Sequence, residues 1–408
     1  MSDADHSLQR TRPRRRHTAA QWIVLGVNCL VVIACLAAAI GLLYGKNQLD
    51  GTLAGQALSV STTVPLQPAP TGPEQSGPST VPATFPQVDA EAVNFLITGS
   101  DVNACVDPDS PWAGAADPSR DAIGSRSDTI MVIRVDPSTN RGAVLSFPRD
   151  LWVDIPGKAD NRINTVAKPG DSSLLAQTIY DNFGITVDHY LQVDFCAFKL
   201  IVDAVGGVTV PFQYQIVDRN VGIDVPPGCH TFSGDEALAY VRSRHLKWVD
   251  ENGELNEDRG ADLARISRQQ DFLRRTLMAA LDKGVYDPAV ARALIESLQK
   301  YIVRDANLLS IDSILAFAGV LKNIDPAGIN TYQIDAANMI QGGQSVLDPI
   351  TKSDNMKAIL AIFQGTAPIG GPAPNNSTTD TVTGSSTVAS GPEENVKGDI
   401  VPNEDVVC

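Results

Sequence analysis

The chain has 408 residues, 43% of them hydrophobic, and a formal net charge of −15. That length supports a substantial core in one to three domains, and the negative balance disfavours nucleic acid as a general partner. Six cysteines with no Cys-x-x-Cys or His-x-x-x-His spacing speak against a zinc site.

Residues 1–21 carry Arg10, Arg12, Arg14, Arg15 and Arg16 against Asp3 and Asp5. Trp22 to Tyr44 follows, 23 residues without a charged side chain, long enough at about 1.5 Å per residue to cross a ~30 Å hydrocarbon layer. Arginines before the run place the N-terminus in the cytoplasm and the rest outside, so the expectation is a single-pass cell-membrane anchor. A cleaved signal peptide would carry a shorter apolar region, of about 7–15 residues. Lipidation at Cys35, after Val32-Ile33-Ala34, is opposed by the apolar continuation from Leu36 to Tyr44. Residues 45–90 are rich in Pro, Thr and Ser and read as an extracytoplasmic linker. A globular region is expected over 91–364, with its core at 91–281.

Val93 to Thr98 is an apolar strand ending in Gly99-Ser100-Asp101. Ile130 to Val135 and Gly142 to Phe147 flank Asp136-Pro137-Ser138-Thr139-Asn140 and read as a β-hairpin. Antiparallel pairing brings Arg126 and Asp128, before the first strand, to the same rim as Arg149 and Asp150, after the second. Asp101 joins them if its strand also runs antiparallel. Exposed ion pairs of this kind are worth only about 0–1 kcal/mol. Two carboxylates with two guanidiniums, however, suit a hard cation and a phosphate.

Trp152 to Gly157 and Arg162-Ile163-Asn164 read as loop. Ser172 to Phe183 is a helix stopped by Gly184, Asp188 to Val193 a strand, Phe195 to Val205 a helix, and Val208 to Val210 a short strand. Strand–helix–strand order argues an α/β fold, with a mixed central sheet because the hairpin is antiparallel. Gly234 to Val241 is helical. Arg242 and Arg244 face one ligand only if Arg242-Ser243-Arg244-His245 turns extended. Ala261 to Leu281 is an amphipathic helix, with Asp262, Arg265 and Gln269 along one polar stripe and Leu263, Ile266, Phe272, Leu273 and Leu277 along an apolar one. Helices are expected over 287–303, 310–321 and 350–363, a strand over 329–334, and a disordered tail over 365–408.

Cys29 and Cys35 fall in the membrane span. Of the other four, Cys196 with Cys229 is the preferred disulfide, tying the start of a helix to the end of a later hairpin and stabilising by about 3–4 kcal/mol. Cys105 with Cys408 is left over.

Six motifs occur in order: Gly99-Ser100-Asp101, Arg126-Ser127-Asp128-Thr129, Phe147-Pro148-Arg149-Asp150, Asp203 through Val208, Ala237 through Arg244, and Asp262 through Gln270. Together they resemble the LytR-CpsA-Psr family of bacterial envelope proteins. The resemblance implies a central sheet with helices on both faces and an apolar channel for a prenyl tail. It also implies Mg²⁺-dependent transfer of a glycopolymer from a polyprenyl diphosphate carrier to peptidoglycan, through a phosphodiester bond, with pyrophosphatase chemistry as a variant. By motif position, Asp101 and Asp128 look like the cation ligands. Arg126, Arg149, Arg242, Arg244 and Arg265 look like the diphosphate clamp, with Asp262 and Gln269 as contact residues on the long helix. Asp128 or Asp150 stands near enough to be the general base, and a metal-lowered pKa could substitute for either.

Two other classes stand beside the enzyme reading. One is a non-catalytic polyprenyl-phosphate or wall-polymer binding protein, and the other an envelope-linked regulator. A tethered acidic domain without a basic stripe is poorly built for DNA. Arabinogalactan, teichoic acid and capsule all remain open as the polymer.

Overall fold

Alternating side chains along the apolar runs build the central sheet. The computed structural model describes residues 92–100, 105–115, 127–168, 172–283, 290, 293, 296–297, 300–305, 324, 326–370, 392–395, 397–398 and 408. The basic segment 1–21, the span expected at 22–44, the linker 45–90 and the helix expected at 310–321 lie outside these residues, as do Asp101 and Arg126. No helix among the described residues is long and apolar enough to cross a membrane.

Strands β1 (Val93–Ser100), β2 (Ser127–Asp136) and β3 (Arg141–Ser146) are antiparallel neighbours. One rung aligns Leu96, Val132 and Leu145, and the next aligns Phe95, Ile133 and Val144 on the opposite face. Helix α1 (Ser173–Phe183) covers the first face with Leu175, Ile179 and Phe183, and Gly184, at φ 69°, ends it in the left-handed region. Strand β4 (His189–Asp194) lies parallel to β1. It runs directly into α2 (Phe195–Ala204), whose first turn Asp194 caps by accepting from Ala197 N at 2.9 Å.

Strands β5 (Val208–Phe212) and β6 (Gly228–Phe232) pair antiparallel, and α3 (Gly234–Arg242) follows. Phe212, Phe232, Tyr240 and Phe272 form a second core there, with Phe232 and Tyr240 stacked at 4.7 Å. This cluster fixes α3, and so the two arginines at its end. A small four-stranded sheet over 215–225 and 247–257 flanks it. Helix α4 (Ala261–Lys283) lays Leu273 and Leu277 on the second face of the central sheet. Strands β7 (Ile302–Arg304) and β8 (Asn330–Gln333) complete the order β7-β4-β1-β2-β3-β8, and α5 (Asp354–Phe363) adds Met356, Ile359 and Phe363 to the first face. The mixed sheet with helices on both faces matches the expectation.

Several expectations need correction. The helix anticipated over 287–303 stops short of Ile302, because 302–304 pairs with the otherwise bare edge of β4. The last helix starts at Asp354 rather than Ile350, with Ser353 capping it. Ile350 instead closes off a hairpin of Ala336–Gln341 and Gln344–Pro349, its N donating to the Asp335 carbonyl at 2.7 Å. The disulfides are Cys105–Cys196 and Cys229–Cys408, not Cys196–Cys229. Parallel pairing explains the first: β1 and β4 end at the same sheet edge, so the loop after β1 meets the start of α2. Nor is 365–408 disordered throughout. Glu393 to Asn395 bonds to β8 and to Asn355, and Cys408 is bonded to Cys229.

Each disulfide closes a long loop, 91 and 179 residues. Cys105→Ser should therefore destabilise by about 4–5 kcal/mol in the chain-entropy model. Denaturant melts of the variant check the magnitude, and non-reducing peptide mapping checks the pairing.

Candidate functional site

The site begins with an irregularity in the β1–β2 ladder. Gly99 pairs with Thr129 but Ser100 with Ser127, so Asp128 is the extra residue of a bulge. Ser127 Oγ donates to Thr129 O at 2.6 Å across it. A bulge re-aims the side chain it carries, and here Asp128 turns into the space between β3, α3 and α4. Phe147 N donates to Ile130 O, carrying the hairpin on far enough to bring Arg149 alongside Asp128.

Arg149 Nη1 donates to Asp128 Oδ1 at 2.8 Å, and Arg244 Nη2 to Asp128 Oδ2 at 2.7 Å. Arg265, 2% exposed, donates to the Asp128 carbonyl at 3.2 Å and to Asp262 Oδ1 at 2.9–3.0 Å. Asp262 also lies 3.8 Å from Arg149 and 3.7 Å from Arg244. Asp150 sits between Arg149 at 3.3 Å and Arg162 at 3.5 Å. Arg149 Nε is buried, with Asp150 Oδ2 at 3.3 Å and Asp262 Oδ2 at 3.8 Å.

Ser243 leaves the helix extended at φ −55°, ψ 130°, as expected, yet Arg242 and Arg244 take different partners. Arg244 reaches Asp128, whereas Arg242 donates to the Ala115 carbonyl and lies 4.3 Å over the Phe195 ring. Gln269 accepts from Thr129 Oγ1 at 3.3 Å and donates to the Val241 carbonyl at 3.1 Å, tying α4 to β2 and α3. Below this cluster a cavity of about 250 Å³ opens between the sheet, α2 and α4. Its wall includes Ile97, Met131, Phe198, Phe272 and Leu273, and Asp128, Arg242 and Arg265 stand at its polar end. Charge is thus concentrated at one end of an apolar slot.

Burial by itself pushes the Asp128 carboxyl up, but the guanidiniums of Arg149 and Arg244, with Arg265 behind them, outweigh it and hold the group at about 2. Arg149 is shifted the other way: burial works against its charge, yet Asp128 and Asp262 raise it above its usual value. The folded-state value of Asp128 lies below the unfolded 3.8, so its contribution to stability is complete above about pH 4 and is lost as pH falls toward 2. Acid melts should show about 2 kcal/mol of stability disappearing across that window. Asp128→Asn should remove that dependence.

Of the anticipated site residues, the fold gathers Asp128, Arg149, Asp150, Arg244, Asp262 and Arg265 into one ion network, with Arg242 and Gln269 on its flanks. The anticipated cation pair is described only in Asp128. Among the described residues no group of three or more His, Cys, Asp or Glu side chains could hold a metal ion.

Sequence reasoning missed three supports. Ser243, fully buried, donates to Asp218 Oδ2 at 2.5 Å and accepts at its carbonyl from Arg268, also at 2.5 Å. Arg268 in turn pairs with Asp258 at 2.9 Å, both side chains buried. Arg162 braces Asp150 and donates to the Ser345 carbonyl at 3.0 Å. A signal existed for Arg268, which has Ala264 and Phe272 four residues to either side and so interrupts an apolar column.

The family model described as LytR_cpsA_psr family matches residues 71–361. The cell wall biosynthesis protein LcpA of Corynebacterium glutamicum is 28% identical over 71% of this chain and 58% of its own length. The polyisoprenyl-teichoic acid–peptidoglycan teichoic acid transferase TagU of Oceanobacillus iheyensis is 28% identical over 57% of this chain and 65% of its own. The chain thus spans less than two thirds of each curated relative. A solved structure, the LytR-Csp2A-Psr enzyme from Actinomyces oris, shares the fold with a TM-score of 0.52 at 21% identity, over 69% of this chain and 92% of that one. A family match spanning well over half the sequence has one reading: the chain belongs to the LytR_cpsA_psr family.

Proposed function

We propose that this protein is a membrane-anchored phosphotransferase that moves a glycopolymer from a polyprenyl diphosphate carrier onto peptidoglycan. The observation that carries the reading is an apolar cavity with Asp128, Arg242 and Arg265 at its polar end, Asp128 being paired in turn with Arg149 and Arg244. A polyprenyl diphosphate has the same division, a dianionic head on a hydrocarbon tail. Arg149, Arg162, Arg242, Arg244 and Arg265 outnumber Asp128, Asp150, Asp194 and Asp262 by one, leaving a locally positive site in a chain of net charge −15. The name of the Oceanobacillus relative, a teichoic acid transferase acting on a polyisoprenyl-linked substrate, agrees with this class of reaction. The basic segment and 23-residue apolar run at the N-terminus supply the anchor.

In this mechanism an acceptor hydroxyl attacks the phosphorus bearing the glycan. The new P–O bond forms as the bond to the bridging oxygen breaks, and polyprenyl phosphate leaves with the electron pair. Arg149 and Arg244 stabilise the charge that builds on the phosphoryl oxygens, their planar forks each spanning two of them. Asp128, held ionised by three arginines, is a poor proton acceptor and serves to position them. Asp150, at the rim beside Arg149, takes the hydroxyl proton. Mg²⁺ fits the donor chemistry of Asp128, a carboxylate held ionised. With Asp101 it would hold the ion, which would neutralise phosphoryl charge.

The test supplies the full chain with a glycan-diphosphate-polyprenol, Mg²⁺ and a peptidoglycan oligomer, and follows polyprenyl phosphate release and glycan attachment. Release coupled to attachment is expected. Tight donor binding without release would replace the enzyme with a wall-polymer binding protein.

A further inference from the structure

Glu393 to Asn395, with Lys397 and Gly398, returns to the body of the protein and touches it at two places that matter for the site. At the outer edge of β8, Thr331 N donates to Glu394 Oε1 at 2.6 Å and Gln333 N donates to Asn395 Oδ1 at 2.9 Å. Asn395 Nδ2 donates back to the Gln333 carbonyl at 2.7 Å. The side-chain amide of Asn395 thus stands where a peptide group of a seventh strand would pair, and the sheet edge is closed. Asn355 fixes the entry to this contact by exchanging two hydrogen bonds with the Glu393 backbone, at 2.9 and 3.0 Å.

The second contact is with α4. Lys397 N donates to Ser267 Oγ at 3.0 Å, and Gln333 Nε2, which donates to the Asn395 carbonyl at 3.0 Å, lies 3.5 Å from the same hydroxyl. Gly398, at φ 111°, meets the first turn of the helix backbone to backbone. A Cβ there would stand 2.6 Å from Ala264 Cβ and 3.1 Å from Asp258 Oδ1, and one on Gly260 would stand 2.9 Å from Gly398 Cα. Those neighbours belong to the site's framework. Asp258 holds Arg268, Arg268 holds Ser243, and Ser243 separates Arg242 from Arg244. The same first turn of α4 carries Asp262.

We propose that Glu393 to Asn395, with Lys397 and Gly398, is a positioning strap for the phosphate-facing end of α4, anchored by Asn395 on β8 and seated by Gly398 against Ala264 and Asp258. Cys229–Cys408 tethers the chain beyond it and keeps the strap at high local concentration. The strap touches no substrate. It acts through Asp258, Arg268 and Asp262, and only the activity readout below rests on the proposed transferase reaction.

The full chain is compared with Asn395→Ala, Asn395→Asp, Gly398→Ala and the double variant Cys229→Ser/Cys408→Ser. Amide hydrogen exchange, affinity for farnesyl diphosphate as the probe, and kcat and KM of transfer are measured. Asn395→Ala should speed exchange about tenfold at Thr331, Gln333 and the first two turns of α4, leaving α1 and α5 protected, and should weaken farnesyl diphosphate binding about tenfold. Asn395→Asp keeps the acceptor for Gln333 N and should fall between. Gly398→Ala leaves the β8 contact alone and should loosen α4 and weaken binding by itself, which keeps the test decisive if Asn395→Ala does not fold. The disulfide double variant should show the Asn395→Ala pattern in milder form. Unchanged α4 exchange or unchanged diphosphate affinity in Gly398→Ala would overturn the proposal, reducing the segment to a cover for an edge strand. Absent turnover in the wild-type chain would count against the transferase reading alone, since exchange and binding report on the strap without it.

Discussion

Arg149→Ala should lower kcat/KM for glycopolymer transfer by about three orders of magnitude, the loss seen when a preorganised donor to developing charge is removed. Arg149 lies against Asp128, Asp150 and Asp262 at once. No neighbour can assume that geometry: Arg244 is committed to the other Asp128 oxygen and Arg265 is buried beneath Asp262. Arg149→Lys retains the charge but not the two-pronged grip and should recover only a small part of the activity. Steady-state kinetics on the three proteins give the comparison. An alanine variant within a few-fold of wild type would remove Arg149 from the reaction.

Asp258→Ala should be the most damaging single change to stability among the site's supports, at about 3–5 kcal/mol. It leaves Arg268 buried at 2% exposure with its carboxylate partner gone. Burial already lowers the pKa of that guanidinium, ahead of the opposing pull of Tyr240 and Asp258, so its charge has little solvent to fall back on. The damage should also reach the chemistry, because Arg268 donates to the Ser243 carbonyl between the two arginines. The double change Asp258→Leu/Arg268→Met replaces the pair with packed apolar groups and should restore much of the stability. It should not restore full activity, since Ser243 remains without its donor. Urea melts paired with kinetics separate the two effects.

What could be read from the sequence, and what could not, divides by the range of the interaction. The β-hairpin rim was legible because turn chemistry and strand alternation fix its register locally, so Asp128, Arg149 and Asp150 had to meet at one end. Asp262, Arg265 and Gln269 were legible as a stripe by helical spacing alone. The bulge that aims Asp128 was not, for it depends on how β1 and β2 pair across 27 or more positions. The disulfides failed for the same reason: nothing near Cys105 announces that β1 lies parallel to β4. Ile302–Arg304 took strand form against its helical context because a sheet edge was waiting for it. The return of Glu393–Asn395 to β8 was hidden by composition, since Gly, Pro, Ser and Thr to its N-terminal side read as tail throughout.

The account depends on one division of labour, guanidiniums for a diphosphate and an apolar slot for its tail. A crystal structure of the protein with farnesyl diphosphate tests it most directly. The account predicts phosphoryl oxygens within hydrogen-bonding distance of Arg149 and Arg244, and the hydrocarbon chain running past Phe198, Phe272 and Leu273. A diphosphate bound away from Asp128, or a tail lying on the outer surface with the cavity closed, would contradict it.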